Sequence, residues 1–270
     1  MSATEHFSLA AYRRILRAVL ARGYRIVPAG DAPVTFDRVL YLRHDVDFSP
    51  AIAAELGRVN AELGVRGAFH VPVCSPLFNL AAEPCQGALA ELRRAGQPLA
   101  LHYYLPEACR SAPMTFDGIV ADIHRQHSLL AAAAGSAVLP AMSWHNPSLL
   151  EGQHADWVYA DVPGLANLYR LGRHGVSYRS DSNNRLTVAE WLAAAEALDG
   201  PAQWLFHPFQ WVCGDSDMRR VLARTWAAIV GAQQPTFLTN KVYREALPGG
   251  VPAQAFERLV EAWLQGAADE

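Results

Sequence analysis

The chain lacks several features that would assign it to a common class of protein. Its four cysteines, Cys74, Cys85, Cys109 and Cys213, show no paired spacing, which argues against a disulfide framework or a cysteine zinc site. No apolar run is long enough for a membrane span, and no stretch has the composition of an export signal. The net charge is only −3. These absences predict free thiols, a cytoplasmic location, and neither nucleic acid nor an anionic membrane as a partner.

Linkers and repeats are also missing. No Ser/Gly/Pro-rich segment, charge block or fixed-period repeat divides the 270 residues, of which 51% are apolar. We therefore predict one domain over residues 1–270, in which residues 1–36 supply an N-terminal helix and strand that lead into the main fold. The first strong apolar run ends in Asp45-Val46-Asp47-Phe48, which is unlike the glycine-rich phosphate loop of a dinucleotide-binding fold.

What the chain does have is a series of short apolar runs that end in His or Asp. They comprise residues 39–42 before Arg43-His44-Asp45-Val46-Asp47, 98–101 before His102, 138–144 before His145-Asn146-Pro147, 176–178 before Asp181, and 203–206 before His207. Helical segments lie between them: one has Ser49 as its predicted N-cap, one spans residues 115–134, and one opens with the capping-box spacing of Thr187 and Glu190. This alternation predicts an α/β fold with a parallel sheet.

Polar residues at the ends of successive strands favour a barrel over an open doubly wound sheet, because a barrel places its active site on that face. Two further helices are predicted with less regular boundaries. One is short and covers residues 88–94. The other is the last long helix, from about residue 216 to residue 230, with Trp226 and Ile229 on its apolar side.

Asp45 and Asp47 are the most informative pair in the chain. Side chains alternate along a strand, so both carboxylates project from one face and His44 from the other. Two adjacent carboxylates repel each other, and a metal cation, a neighbouring base or a shared proton would compensate. The alternative is a solvated acidic turn. His44 is a candidate for orienting the site from behind.

One Asp and two His residues form a ligand set that suits Zn²⁺ and leaves a position open for water. Asp45, beside the ligand Asp47, is placed to act as a base. His207 follows a different strand and is placed to act as an acid from the other side. Together these groups would suffice to hydrolyse an amide or an ester.

The motifs, taken in this order, are similar to those of a known family. They occupy residues 23–24, 42–47, 60–64, 101–104, 143–148, 178–182 and 207–211. The chain resembles the polysaccharide deacetylase superfamily, also called the NodB-homology or carbohydrate esterase four fold. Within it, the chain looks like the WbmS-type branch associated with O-antigen clusters. The resemblance implies a distorted (β/α)7 TIM-like barrel with one divalent metal, a base at Asp45, a metal ligand at Asp47 and a general acid at His207.

The resemblance fails in two places. The family usually has two metal-binding histidines four residues apart, but the residue four positions after His102 is Pro106. An arginine followed by prolines is expected where His145-Asn146-Pro147 stands. We predict that His145 replaces the missing ligand, because a strand end is aimed rigidly at the barrel axis. Glu107, or a site with only two protein ligands, is the alternative.

Four further residues are predicted to bind substrate or support the site. Asp181 either holds His207 in the correct tautomer, contacts sugar hydroxyls or caps a turn. Tyr103 and Trp211 either stack on a sugar or pack as ordinary aromatic residues. Asn146 follows the proposed ligand directly.

The resemblance implies a metal-dependent hydrolase that removes an N-acyl, acetyl-like group from an amino sugar during the biosynthesis of O-antigen or another bacterial surface polysaccharide. The substrate would be nucleotide-linked or lipid-linked. The metal would be Zn²⁺, with Co²⁺ or Ni²⁺ as alternatives. Two other functions remain open: a catalytically degenerate barrel that binds sugar, and a metal hydrolase of another small amide. The sequence leaves the sugar, the acyl group and the oligomeric state open.

Overall fold

The structure, a computed structural model, describes residues 5–30, 38–105, 115–150, 154–182, 186–215 and 217–266. The predicted α/β fold with a parallel sheet is confirmed: the described strands form one sheet in which they all pair in parallel. The strands are β1 Arg25–Pro28, β2 Val39–Asp45, β3 Ala68–Val71, β4 Leu99–Tyr103, β5 Ala141–Trp144, β6 Ala166–Asn167, β7 Ser177–Ser180 and β8 Ala202–Phe206.

Seven of these strands run in the spatial order β6-β5-β4-β3-β2-β8-β7. The sheet curls into a half-barrel, an arrangement compatible with a TIM-like barrel. The remaining strand, β1, pairs with residues 39–42 of β2, and β3 pairs with residues 43–45 of the same strand. Strand β8 pairs with residues 40–44 of β2. Strand β2 is therefore central, and its C-terminal end lies between the ends of β3 and β8.

Helices connect most of the strands and cover the outer face of the sheet. They are α1 Leu9–Ala21, α2 Pro50–Glu62, α3 Glu83–Arg94, α4 Phe116–Ala134, α5 Val188–Glu196, α6 Pro208–Val212, α7 Met218–Phe237, α8 Lys241–Ala246 and α9 Ala253–Gly266. The caps predicted at Ser49 and Thr187 are confirmed. Ser49 accepts a hydrogen bond from the first turn of α2, Thr187 forms a capping box with Glu190, and Thr115 also caps α4.

The two faces of β2 have different surroundings, although all seven of its residues are buried. Leu40 and Leu42 belong to the apolar core that also contains residues of α1 and α2. On the opposite face, Arg43 and Asp45 bond to each other inside the curl of the sheet. The period of two along β2 therefore gives a mainly apolar outer face and an inner face that changes from apolar at Val39 and Tyr41 to charged at Arg43 and Asp45.

Two helix boundaries differ from the prediction. The short helix begins at Glu83, not at residue 88, because Pro84 occupies the first turn, where its missing N–H costs nothing. The last long helix continues past residue 230 to Phe237 and includes Pro235, and α8 and α9 follow it.

The apolar side predicted for this last helix is confirmed for only one of its two residues. Ile229 is buried, but Trp226 is 38% exposed. Among the described helices, none combines the length and the apolar composition that crossing a membrane requires.

Candidate metal centre

Three of the predicted ligands meet at the C-terminal edge of the sheet. His102 lies in β4, His145 directly follows β5, and Asp47 lies two residues after the end of β2. Because β2, β3, β4 and β5 are parallel neighbours, their C-terminal ends share one edge. Asp47 and His102 are 55 positions apart in the chain, and His102 and His145 are 43 positions apart. The shared edge brings all three into one cluster.

The three donor atoms form a nearly equilateral triangle. His102 Nε2 lies 3.2 Å from Asp47 Oδ1 and 3.2 Å from His145 Nδ1. The third side, from His145 Nδ1 to Asp47 Oδ1, is 3.3 Å. Donors bound tetrahedrally at the usual Zn–N and Zn–O lengths lie about 3.3 Å apart. The spacing of the three donors therefore matches what a single zinc-sized ion with three protein ligands would require.

Asp47 Oδ1 gives a second indication of a cation. This oxygen is buried and has no hydrogen-bond partner of acceptable geometry. Burial alone would raise the pKa of Asp47, but contacts with His102 and His145 lower it far below the usual range, so the group is a carboxylate. A buried carboxylate oxygen without a hydrogen bond is costly, and a metal ion would satisfy it.

The chain around His145 orients the imidazole ring. Its backbone N–H donates to the Tyr103 carbonyl, which extends the β4–β5 pairing by one residue. Tyr104 stacks on the ring with a centroid separation of 4.6 Å. Asn146 has φ +46°, a left-handed conformation that Asn tolerates better than most residues, and its Nδ2 lies 3.2 Å from His145 Nε2. Nδ1 is consequently the nitrogen that faces the other donors.

His102 is held from behind by Ser143. The Ser143 hydroxyl lies 2.8 Å from His102 Nδ1 and 3.1 Å from His70 Nδ1. A partner on Nδ1 leaves Nε2 of His102 to face Asp47, as a metal-ligating histidine requires. His70 is fully buried, and burial, aided by Arg43, lowers its pKa to about 3, so the ring is neutral.

Asp45 lies beside this cluster in a buried ion pair. Arg43 donates from Nε to Oδ1 at 2.7 Å and from Nη2 to Oδ2 at 2.6 Å, and neither side chain is more than 3% exposed. Burial alone would raise the pKa of Asp45, but the adjacent guanidinium lowers it to about 2. Oδ2 also lies 3.6 Å from His102 Nε2, so the carboxylate faces the donor triangle.

His207 lies on the other side of the triangle. Its Nε2 is 3.6 Å from Asp47 Oδ2, and its Nδ1 is 2.6 Å from Asp181 Oδ1. Asp181 Oδ2 accepts two more hydrogen bonds, from the His207 backbone N–H and from Trp211 Nε1. Burial alone would lower the pKa of His207, but Asp181, followed by Asp47 and Asp45, raises it to about 9. His207 is therefore a cation at neutral pH.

The remaining predicted site residues divide into supporting groups and outer-face groups. Asp181 holds His207, which is one of the roles predicted for it, and Trp211 is a fully buried donor to Asp181 that offers no face to a ligand. Tyr103 is buried on the outer face, where its hydroxyl donates to Asp122.

His44 also lies on the outer face. It bonds to Tyr12 and stacks on Phe69 at 4.2 Å, and burial lowers its pKa to about 3. The structure thus places Tyr103 and His44 among the helices and away from the donor triangle, because the period of two turns them from it.

Sequence reasoning overlooked two residues of the site, Arg43 and Ser143. Each lies two positions before a predicted site residue, Asp45 or His145, and therefore shares its face of the strand. This spacing of two residues was the sequence signal that could have identified Arg43 and Ser143. The predicted alternative ligand, Glu107, lies outside the described residues, as does Pro106.

A cavity of about 280 Å³ opens at the metal centre. Asp47, His145, Asn146 and Tyr104 line it on one side, and Phe48 and Leu77 line it on the other. It offers space for a small molecule next to the donor triangle.

Comparison with protein-family models and with curated proteins finds no match to this chain.

Proposed function

We propose that this protein is a metal-dependent amide hydrolase that removes an N-acyl group from an amino sugar. One observation carries the proposal. A three-donor triangle has a carboxylate on one side and a cationic imidazole on the other, each 3.6 Å from a donor residue. Amide hydrolysis requires this combination of a metal position, a proton acceptor and a proton donor.

Asp47, His102 and His145 would hold the ion, most simply Zn²⁺, with Co²⁺ or Ni²⁺ as alternatives. When bound, such an ion polarises a carbonyl and lowers the pKa of water toward neutrality. Two nitrogens and one carboxylate oxygen are a typical catalytic zinc set, and three protein ligands leave a coordination position free.

Asp45 is assigned to accept the proton of the attacking water, and His207 to donate a proton to the departing nitrogen. Water adds to the amide carbon, the C–N bond breaks, and the products are a carboxylic acid and an amine. Arg43 keeps Asp45 ionised and aimed, because both of its bonds are to that carboxylate. Asp181 keeps His207 protonated and fixes which nitrogen faces the reaction.

The substrate class rests on the resemblance to polysaccharide deacetylases, which also implies the closed, distorted (β/α)7 form of the half-barrel. We assign the substrate to acylated amino sugars, nucleotide-linked or lipid-linked, of surface polysaccharide assembly in the cytoplasm. The sugar-binding alternative was motivated by the missing ligand at Pro106. His145 supplies a third donor from the next strand and so favours a catalytic site over a degenerate one.

Metal content is the first test. Mass spectrometry of the zinc-incubated protein should find about one ion per chain, lost in Asp47→Ala, His102→Ala and His145→Ala. His174→Ala and Asp117→Ala alter exposed residues and should retain the ion. If His145→Ala retains the ion fully, another residue is the third ligand, and Glu107 is the next one to test. A wild type without zinc, cobalt or nickel would refute the hydrolytic mechanism.

Turnover is the second test. The zinc-loaded protein is assayed for amine release from N-acylated amino sugars, with cyclic amides as the contrasting substrates. His207→Ala should lower the turnover of the preferred sugar by about 10²–10⁴-fold because the leaving nitrogen loses its proton donor. Cleavage of cyclic amides alone would contradict the sugar assignment. If turnover in His207→Ala is as high as in the wild type, His207 is not the proton donor.

A further inference from the structure

We propose that an apolar cavity next to the metal centre binds the hydrocarbon chain of the acyl group, so that the preferred substrates carry an acyl chain longer than acetyl. This inference rests on the proposed function and specifies its substrate class. The cavity measures about 260 Å³ and lies between the start of α2, the segment that includes Leu77 and Phe78, and α7.

The chemistry of the cavity favours a hydrocarbon. Phe48, Leu77, Phe78, Ile229 and Phe237 are among the apolar residues that line it, together with the uncharged polar residues Ser49, Asn79, Gln233 and Thr236. The described residues that line it include no Asp, Glu, Lys, Arg or His. A phosphate bound here would therefore have no charged partner, whereas the burial of a methylene chain against the apolar residues is favourable.

The position of the cavity connects it to the reaction. Phe48 and Leu77 line this cavity and also the one that contains Asp47 and His145. Asp47 and Phe48 are consecutive, so the ligand and the wall of the apolar cavity belong to one short segment after β2. A chain that leaves the metal centre along Phe48 and Leu77 therefore reaches residues that line the apolar cavity.

The position of His207, the proposed proton donor, determines which part of the substrate points toward the apolar cavity. His207 must lie next to the departing nitrogen, and it lines neither cavity among the described residues. The nitrogen and the acyl chain are different substituents of the carbonyl carbon and point in different directions. With the nitrogen at His207, the proposed path of the acyl chain runs along Phe48 and Leu77, which line both cavities.

The test compares kcat/KM for glucosamine N-acylated with acetyl, butyryl, hexanoyl and octanoyl groups. Each buried methylene contributes about 0.8 kcal/mol, which corresponds to about a fourfold gain in kcat/KM. We expect an increase from acetyl at least to hexanoyl. A flat or falling series in an enzyme that cleaves the acetyl compound would overturn the inference and leave the proposed function in place.

Two substitutions on α7 locate the effect. Ala232 is exposed and lines the cavity, so Ala232→Trp should fill it and abolish the preference for long chains while acetyl turnover persists. Ala228 is exposed one turn earlier on the same helix and does not line the cavity, so Ala228→Trp should behave as wild type. Equal chain-length dependence in both variants would overturn the inference.

Calorimetry gives a readout that does not depend on turnover. Acetate, butyrate, hexanoate and octanoate are titrated into the zinc-incubated protein, and their affinity should increase with length in wild type and Ala228→Trp but not in Ala232→Trp. If this pattern appears while no amide is hydrolysed, the proposed function fails and the chain-binding cavity stands. If hydrolysis occurs but affinity does not depend on length, the cavity assignment fails.

Discussion

The two flanks of the metal centre hold their reactive groups in the same manner but with opposite charge. On the β2 side, the cation Arg43 makes two hydrogen bonds to the carboxylate of Asp45. On the β8 side, the anion Asp181 makes two hydrogen bonds to His207, one to the ring and one to the backbone. In each case a buried partner of opposite charge stabilises the ionised form that the proposed mechanism requires.

The consequence is a wide separation of two pKa values across one small site. The pKa of Asp45 falls to about 2 and that of His207 rises to about 9, so the acceptor is ionised and the donor protonated over the whole neutral range. Such a divergence is typical of paired acid and base groups. The two flanks differ in the sequence separation of the paired residues. Arg43 is two residues from Asp45, whereas Asp181 is twenty-six residues from His207.

Removal of the charge on the β2 flank should have the largest effect. Asp45→Asn is expected to lower turnover by about 10²–10⁴-fold, because the proton acceptor is lost. It should also destabilise the fold by about 3–5 kcal/mol, because Arg43 is left as an unpaired buried charge. Steady-state kinetics and urea unfolding measure the two effects separately.

The double variant Arg43→Met with Asp45→Asn is the matched control for that prediction. Its stability should recover, since neither buried charge remains, while its turnover stays as low as that of Asp45→Asn. Recovery of turnover along with stability would show that Asp45 serves folding and not catalysis.

A change on the β8 flank should alter the pH profile. Asp181→Asn removes the anion that contributes most to raising the pKa of His207 to about 9. Activity that requires protonated His207 should then decline at a lower pH than in the wild type, with a larger loss at about pH 8 than at about pH 6. An alkaline limb that does not move would contradict the role of Asp181.

The same variant has a stability signature with a defined sign. The folded pKa of His207 lies above its unfolded value, so the pairing stabilises the wild type fully below about pH 6.5 and is lost as the pH rises through about 9. Melting temperatures of the wild type should fall over this window, and those of Asp181→Asn should fall less. Circular dichroism confirms that the variant is folded.

Removal of the hydroxyl group behind His102 is expected to weaken metal binding and to change little else. Ser143→Ala removes the group 2.8 Å from His102 Nδ1 and should weaken zinc affinity by about 10–100-fold. Turnover at saturating zinc should change much less. Competition with a zinc-binding dye measures the affinity, and Ser128→Ala, on the exposed part of α4, should leave it unchanged.

The smallest effect is expected on the outer face of β2. Tyr12→Phe removes the hydroxyl that bonds to His44 and Asn60, and should cost about 1 kcal/mol of unfolding free energy. Turnover should remain at the wild-type level, because His44 faces the helices. If a stable Tyr12→Phe protein loses much of its turnover, His44 contributes to the site after all.

Several parts of the site could be predicted because they depend on local spacing. The alternation of side chains placed Asp45 and Asp47 on one face and His44 on the other, and the structure has Asp45 and His44 on opposite faces. The caps at Ser49 and Thr187 were also predictable, since a cap involves residues three positions apart.

Other parts could not be derived from local spacing because they depend on which strands are neighbours. His145 was predicted as a donor and Asp181 as a partner of His207, but His145 meets His102 because β5 lies beside β4, and Asp181 reaches His207 because β7 lies beside β8. For Trp211 the sequence left sugar stacking and ordinary packing open, and the structure has its indole donate to Asp181, since α6 turns it inward. The inner-face positions of Arg43 and Ser143 were available from spacing, but their partners were not.

The sequence by itself determined the parallel α/β class, the caps at Ser49 and Thr187 and the face on which each strand residue lies, because these follow from hydrogen-bonding and side-chain periodicities within a few residues. Only the tertiary structure decided the donor triangle and the two ion pairs on its flanks. Strand order and register bring Asp47, His102 and His145 within about 3 Å of one another, and neither is encoded in any local pattern.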